Sequence, residues 1–310
     1  MKASIASITT AYNGANVLPR QMDALLAQSR PLQEIIVIDN GSRDGTGAML
    51  AARYPQVTAL SLPQNVGAAG GWAAGLSYAA LEKRHDWVWN FDDDSVPGPG
   101  ALESLLTGAG NHANDPKVGM LVPVPVHKET GKAFPPVLWR DGFVIPGAEM
   151  IRQPVWFADL AVASGCLVRR EAVEAIGLPR SDFFMDVFDF EYCLRLRSRG
   201  YKIAVVTQCE FSHELGETRT FRLGRLSYNW PEHASWREYY ISRNLTYLVG
   251  ELYPTRRARF ALARRLLRHG MLVLLFSGNK RECVKRMFQG WLDGRRGRLG
   301  IRFLPGSKSR

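Results

Sequence analysis

The sequence predicts an α/β fold: a sandwich around a mostly parallel central sheet, followed by a helical, basic C-terminal extension. Three observations predict it. Apolar strand-like runs alternate with helical spacing from the start of the chain, in the order β-α-β-α-β. One run, Trp87-Val88-Trp89-Asn90-Phe91, breaks into Asp92-Asp93-Asp94, where a buried strand must have reached its solvent-facing end. From Thr255 onward the chain carries 16 Lys or Arg against only Glu282 and Asp293.

Ala3 to Thr10 reads as a strand opening into the turn Ala11-Tyr12-Asn13-Gly14. Val17, Leu18, Met22, Leu25 and Leu26 have helical spacing within Asn16 to Gln28, and Pro31 follows as a stop. Glu34 to Ile38 is a compact strand ending in Asp39-Asn40-Gly41-Ser42. Asp44 or Thr46 can cap a helix over Ala48 to Arg53, and Val57 to Leu62 is a third strand. Gln64-Asn65-Val66-Gly67-Ala68-Ala69-Gly70-Gly71 then precedes a helix over Ala73 to Leu81. Glycines there either offer backbone N–H groups to a phosphate or permit close packing. The run fits neither Gly-x-Gly-x-x-Gly nor the P-loop pattern.

After Pro97 and Pro99, Ala101 to Leu106 is a short helix. Val118 to Val126 is a strand whose prolines predict an edge position. Lys128 to Pro154, with Trp139 among its aromatics, reads as loops or a small hairpin on the acceptor side. Ala161 to Arg169 is a small-residue strand and Glu171 to Ile176 a helix ended by Gly177. Asp189 can cap a helix continued by Tyr192, Cys193, Leu194 and Leu196, with Gly200 as its stop. Tyr201 to Gln208 is a strand, and Phe211-Ser212-His213 ends it. Trp236 to Leu252 is an amphipathic helix. Beyond Thr255, Phe260, Ala263, Leu266, Leu267, Met271 and Leu274 fall on one helical face, with Arg257, Arg264, Arg265 and Arg268 on the other. That pattern fits a helix lying on an anionic membrane surface, or one packed on its domain with a solvated basic face.

Adjacent carboxylates repel unless a cation joins them, and hard oxygen ligands suit Mg2+ or Mn2+. Asp92 and Asp94 are therefore candidate metal ligands, with His213 as a third; the bland alternative is a solvated acidic turn. Asp186, Asp189 and Glu191 place three acids in an aromatic setting, where capping and dipole complementarity compete with chemistry.

With 310 residues, 46% hydrophobic and 22% charged, the chain can bury a full core. Its four cysteines form no Cys-x-x-Cys pair and read as reduced thiols of an intracellular protein. No leader peptide or membrane-spanning run is expected. The net charge of +11 favours anionic partners. The sequence carries no feature that sets an oligomeric state.

Taken together these residues resemble a bacterial family-two inverting glycosyltransferase over roughly Ile5 to Leu248. Thr10-Ala11-Tyr12-Asn13 looks like the opening nucleotide-site motif. Ile36 to Ser42 with Asp44-Gly45-Thr46 looks like the second motif, Asp92-Asp93-Asp94 like the Asp-x-Asp metal element, and Phe184 to Glu191 like the segment carrying the base. The segment Phe184 to Cys193, with His213-Glu214-Leu215-Gly216 and Tyr239 to Asn244, is similar to rhamnosyltransferases of surface polysaccharide assembly. Asn65 to Gly71 and the triple Asp are more like galactofuranosyltransferases.

The resemblance implies a nucleotide-binding αβα sandwich of the GT-A type. It implies a catalytic domain over residues 1–215, with 1–94 the nucleotide-sugar half and 95–215 the acceptor half, and a helical, basic, membrane-associated region over 216–310. Thr10, Tyr12, Asn13, Asp39, Asn40, Asn65, Gly67, Gly71, Asp92 and Asp93 would then contact the nucleotide sugar. Asp92, Asp94 and His213 would hold Mg2+ or Mn2+, Asp189 would be the base, and Asp186, Glu191 and Trp139 would orient the acceptor or the site. The implied donor is dTDP-L-rhamnose, with UDP-galactofuranose as the alternative, and the acceptor a polysaccharide or lipid-linked glycan. The implied location is cytoplasmic, peripheral on the inner face of the cell membrane. A sugar nucleotidyltransferase would carry a Gly-rich, Arg/Lys-containing loop after the first strand, which Thr10 to Gly14 lacks. No nucleic-acid partner is expected, since the positive charge concentrates after Thr255 and no nucleic-acid motif appears.

Overall fold

The computed structural model describes residues 3–127, 133, 135–213, 218–223, 226–231, 233–252 and 254–305. For 127, 210–213, 218–223 and 226–231 it describes the backbone alone. The elements in order are β1 (Ile5–Ala11), α1 (Leu18–Leu26), β2 (Glu34–Asp39), α2 (Thr46–Arg53), β3 (Thr58–Ser61), α3 (Gly67–Leu76), β4 (Trp87–Asp92), α4 (Ala101–Ala109), β5 (Val118–His127), β6 (Leu138–Trp139), β7 (Phe143–Val144), α5 (Ala148–Ile151), β8 (Val155–Ala158), β9 (Leu167–Arg169), α6 (Arg170–Ile176), α7 (Phe188–Ser198), β10 (Lys202–His213), β11 (Thr218–Leu223), β12 (Leu226–Pro231), α8 (Ser235–Leu252), α9 (Arg256–Phe276) and α10 (Lys280–Arg295). The chain divides into two compact units. The first is Met1–Trp139, Val144–Ser181 and Asp189–Glu214; the second is Arg140–Phe143, Asp182–Phe188 and Leu215–Arg310.

The first unit is built on an eight-stranded sheet in the order β3-β2-β1-β4-β9-β5-β10-β8. β3, β2, β1 and β4 run parallel, as do β5 and β10; β9 and β8 are antiparallel to their neighbours. Alternate residues face opposite sides. Ile5, Ile35, Val37, Trp87, Trp89 and Phe91 pack with Leu18, Met22, Leu25, Leu50, Leu102 and Leu105 of α1, α2 and α4. Thr10 and Ile8 point the other way, toward α3. The expected αβα sandwich with a mostly parallel sheet is thus present. β1 leads outward to β2 and β3, whereas β4 lies on its other flank, so the strand order reverses between β1 and β4. In open α/β sheets ligands bind in the crevice at such a reversal, outside the carboxyl ends of the strands.

Several local expectations change. β5 is interior, between β9 and β10, despite Pro123 and Pro125. β9 pairs with β5 only at Met120 and Leu121, so the prolines lie where that flank of β5 has no described strand pairing. Ala161 to Cys166 is irregular, and only Leu167–Arg169 is strand. The glycine run is not a loop ahead of a helix but the first turns of α3. A Cβ on Gly71 would lie 2.2 Å from Thr10 Cγ2, and one on Gly75 would lie 2.8 Å from Ile8 Cδ1, so the missing side chains let α3 sit directly on β1. α2 starts at Thr46 behind Gly45, at φ 91°, and the Asp44 carboxylate just before it accepts from the Thr46 N–H. α7 starts at Phe188, so Asp189 lies inside its first turn rather than before it.

The second unit is helical apart from the hairpin of β11 and β12. α8 and α10 pack backbone to backbone: a Cβ on Gly290 would lie 2.2 Å from the Tyr239 carbonyl and one on Gly294 2.4 Å from that of Arg243. α9 buries Ala258 and Val273, not the predicted apolar face. Phe260, Leu267, Met271, Leu274 and Leu275 are exposed, Phe260 by 72% and Leu267 by 68%. Exposed Arg256, Arg257, Arg259, Arg264 and Arg268 share that surface, so apolar and basic side chains are interleaved rather than opposed. Among the described residues no helix is long and apolar enough to cross a membrane.

Candidate active site

Three strands end in polar groups side by side. Thr10 of β1 is in register with Asp92 of β4, and Ala11 with Asp39 of β2. The loops beyond them are laced together. Asn13 is in the left-handed region at φ 55°; its N–H donates to Ser42 Oγ, and its side-chain oxygen accepts from the Arg43 N–H, both at 2.9 Å. The Asp44 carboxylate accepts from Ala15 N–H at 3.0 Å and from Thr46 N–H at 3.1 Å. Thr46 Oγ1 in turn accepts from Gly14 N–H at 3.0 Å.

Asp39 is buried and accepts from the Ser42 N–H at 3.0 Å. Asn40 is also buried. Its amide donates to Gly67 O and Asn65 Oδ1 and its oxygen accepts from Val66 N–H, while Asn65 accepts from Gly67 N–H. Asn40, Asn65 and Gly67 therefore fasten the start of α3 to the end of β2, and Gly71 packs against Thr10. These four residues shape the wall beside Thr10 and Asp39.

The three acids after β4 have different surroundings. Asp93 turns back and accepts from the Tyr12 N–H at 3.1 Å. Burial raises its carboxyl to about 6; the Tyr12 hydrogen bond opposes that rise, and the charges of Asp94 and Asp92 add to it. Asp92 is partly exposed and Asp94 exposed. The turn is held from below by groups not singled out in the sequence. Gln21 of α1, fully buried, donates to the Asp92 carbonyl at 2.6 Å and to the Ser95 carbonyl at 2.5 Å. Ser164 Oγ accepts from the Asp92 N–H at 3.2 Å and lies 2.9 Å from Ser95 Oγ. The only sequence signal for this lacing was the small-residue run Ser164-Gly165-Cys166.

Asp189 accepts from its neighbour's N–H, Phe190 N, at 2.8 Å. Beneath it lies the buried Cys166 thiol, pushed well up by burial and further by Cys193 and by the carboxylates of Asp189 and Asp92. Glu191 is buried and paired with Arg195 at 2.7 Å. Arg195 in turn donates to the carbonyls of Ile176 and Leu178. Trp139 is buried rather than displayed, and its backbone N–H donates to Asp159 at 2.7 Å; Asp159 also pairs with Arg197 of α7 at 2.9 Å.

In the second unit, Asp186 lies in a guanidinium fork. Arg237 Nε reaches its two oxygens at 3.1 and 3.0 Å, and an outer nitrogen reaches one at 2.9 Å. Phe184, Asp186 and Val187 all adopt positive φ, 64°, 60° and 67°. For non-glycine residues such backbone costs roughly 1–3 kcal/mol each, and it persists only where surroundings over-determine it.

Among the described residues no group of three or more His, Cys, Asp or Glu is arranged to hold a metal ion. His213 ends β10, and its side chain lies outside the described atoms. What the turn does offer is oxygen: Asp92 and Asp94, with solvent in reach. That donor set suits Mg2+ or Mn2+, which take one or two carboxylates and complete their shell with water and substrate phosphates.

An α/β sandwich with a laced acid turn at its strand-order reversal defines a ligand-binding enzyme of the nucleotide-using kind. Residues 7–177, more than half the chain, match the sequence profile of Glycosyl transferase family 2, and the chain belongs to that family. It is a glycosyltransferase. It is 27% identical over 286 residues to the galactofuranosyltransferase GlfT1 of Mycobacterium tuberculosis, covering 89% of this chain and 90% of that one. It is 24% identical over 306 residues to the dTDP-rhamnosyl transferase RfbF of Shigella flexneri, covering 97% and 98%. In fold it resembles GalNAc-T7 solved with UDP, GalNAc and Mn2+, with a TM-score of 0.63 at 14% identity over 95% of this chain and 56% of that one. It also resembles residues 1–349 of S. aureus TarS solved with UDP, with a TM-score of 0.54 at 12% identity over 98% of each chain.

Proposed function

We propose that the chain transfers L-rhamnose from dTDP-L-rhamnose to a hydroxyl of a surface polysaccharide or lipid-linked glycan, inverting the anomeric configuration. The observation carrying the chemistry is the laced acid turn, where Asp93 accepts from the Tyr12 N–H and Asp92 stands in register with Thr10, beside the ends of β1 and β2. Asp39 and the Thr10–Tyr12 strand end receive the nucleotide; the acid turn lies beside its diphosphate. Asp189 takes the proton of the acceptor hydroxyl as that oxygen attacks the anomeric carbon opposite the leaving diphosphate, in one displacement. Asp92 and Asp94, with His213 as the proposed third ligand, would hold Mg2+ or Mn2+. The ion's chemistry there is to neutralise charge on the departing diphosphate. Glu191 and Trp139 hold the site rather than react: one is tied to Arg195, the other to Asp159.

Rhamnose is favoured by the near end-to-end alignment with RfbF. UDP-galactofuranose is the second reading, favoured by the GlfT1 relatives and by the unbroken Asp triplet. In either case residues 1–215 form the catalytic domain, with nucleotide-sugar and acceptor halves meeting at residue 94. Residues 216–310 rest on the inner face of the cell membrane through the exposed Phe260, Leu267, Met271, Leu274 and Leu275 among arginines. The deciding experiment is donor binding and slow hydrolysis across dTDP-L-rhamnose, UDP-galactofuranose and other nucleotide sugars, with Mg2+ and with Mn2+. Turnover of dTDP-L-rhamnose alone supports the first reading. Turnover of UDP-galactofuranose alone transfers the assignment to the second, and turnover of neither removes both.

A further inference from the structure

We infer that Arg237 and Asn244 of α8 are positioning residues for Asp189, acting through the strained segment that leads into α7. The inference rests on the reading of Asp189 as the base. Of the six non-glycine residues with positive φ among those described, three are Phe184, Asp186 and Val187. Val187 is β-branched, the side-chain type least suited to that region. The segment runs without a break into Phe188 and Asp189 at the first turn of α7.

Polar contacts from α8 and from Gly300 pin this segment within its unit. The Asn244 amide nitrogen donates to the carbonyls of Phe183, Met185 and Asp186 at 3.0, 2.8 and 2.9 Å. Arg243 donates to the carbonyls of Asp182 and Phe183 at 3.1 and 2.8 Å, and its Nε to Asn244 Oδ1 at 2.8 Å, which fixes which way the amide points. Gly300 N–H donates to Asp182 O at 2.7 Å. The Arg237 fork then seizes the Asp186 side chain by both oxygens. The Asn244 amide nitrogen gathers the Phe183, Met185 and Asp186 carbonyls around one point, which requires the backbone path through positive-φ Phe184 and Asp186 to be formed. The fork likewise needs Asp186 at its positive φ. The two contacts select one backbone path, and that path sets where α7 starts and how its first turn presents Asp189. Both oxygens of Asp186 are engaged by the Arg237 fork, so Asp186 serves here as an anchor and not as the base.

The test uses the full chain with whichever donor the panel identifies, comparing wild type with Asp189→Asn, Arg237→Lys, Arg237→Met and Asn244→Ala. Arg237 is partly exposed, so its replacements should fold with nearly wild-type thermal midpoints. Arg237→Met should lower kcat by about tenfold or more while donor KM stays within about twofold, and should displace the acid limb of the kcat–pH profile. Arg237→Lys keeps the charge but not the fork and should recover only part of the loss. Asn244→Ala should lower kcat at least as much; it is buried, and if it fails to fold, the Arg237 pair carries the test alone. The inference is overturned by Arg237→Met with wild-type kcat and pH profile, or by full recovery in Arg237→Lys, which would reduce the contact to charge. Asp189→Asn that transfers sugar at the wild-type rate overturns the base reading itself, and with it this inference.

Discussion

The Tyr12 backbone N–H donates to the Asp93 carboxylate at 3.1 Å, so the middle acid of the triplet ties the end of β1 to the end of β4. Asp93 thereby bridges the two strands at the strand-order reversal, flanked by partly exposed Asp92 and exposed Asp94. Asp94→Ala should abolish the divalent-ion dependence of nucleotide binding while far-ultraviolet dichroism and thermal midpoint stay unchanged. Asp93→Asn keeps an acceptor for Tyr12 and should retain that dependence. Titration calorimetry with and without excess chelator separates the two; full turnover of wild type in excess chelator would remove the metal from the mechanism.

Gly71→Ala tests the wall beside Thr10. The new Cβ would lie 2.2 Å from Thr10 Cγ2, on a helix seated directly on β1. Overpacking of this kind typically costs about 1–3 kcal/mol. Because the displaced side chain is Thr10, nucleotide affinity should fall along with the denaturation midpoint. Loss of stability with unchanged affinity would separate Thr10 from the nucleotide.

Most of the sheet's first half was legible because its signals are local. The change from Trp87-Val88-Trp89 to three aspartates is a burial boundary written in consecutive residues, and Asp39 after Glu34 to Ile38 is another. What was hidden depends on distant partners. β5 can be interior, despite its prolines, because β9 pairs with it only at Met120 and Leu121, short of Pro123 and Pro125. Gln21 matters because α1 passes under the Asp92 and Ser95 carbonyls, which a helical period cannot reveal. The glycines of α3 fitted phosphate binding and close packing equally well until Thr10 was seen against Gly71. On α9 the hydrophobic period fitted a face lying on a membrane or one packed on the domain, and tertiary packing chose instead the side with Ala258 and Val273.

Glu238 is buried between His269 at 2.7 Å and His233 at 3.5 Å, joining α8 to α9. Burial alone would raise its carboxyl, but hydrogen bonding and charge from His233 and His269 outweigh burial and hold it at about 2. A carboxylate lowered on folding contributes stability above its unfolded value near 4.5, and that stability is lost as pH falls through the folded value. Acid unfolding followed by helix dichroism should therefore show wild type losing stability between about pH 4.5 and 2. Glu238→Gln should be less stable at neutral pH and should lack that component. Identical acid profiles would mean that the ion cluster does not support the fold.

The exposed face of α9 predicts binding to anionic vesicles. Basic residues near such a surface contribute about 1 kcal/mol each, screened by salt, and exposed apolar side chains add burial in the interface. Co-sedimentation should require anionic lipid and weaken with added salt. Leu267→Asp with Met271→Asp should abolish it while leaving transfer to a soluble acceptor intact, since neither residue belongs to the sugar-transfer site. Equal sedimentation of this variant would sink the membrane reading.

Asp189 carries the sharpest prediction. Of the neighbouring acids, Asp186 is held in the Arg237 fork and Glu191 is paired with Arg195. Asp189→Asn preserves size and the hydrogen bond accepted from Phe190 N–H, and removes the capacity to take a proton. Transfer should fall by about 10²-fold or more, the usual scale for general base catalysis, with donor affinity and thermal midpoint near wild type. Glu191→Gln should behave differently, lowering the thermal midpoint because it leaves Arg195 beside a neutral partner in a buried position. Asp186→Asn should lose less transfer than Asp189→Asn, since it weakens the fork without touching the base. Measured side by side, a dead Asp186→Asn beside a near wild-type Asp189→Asn would move the base three residues earlier, ahead of α7, and leave the fork on Asp186 without its explanation.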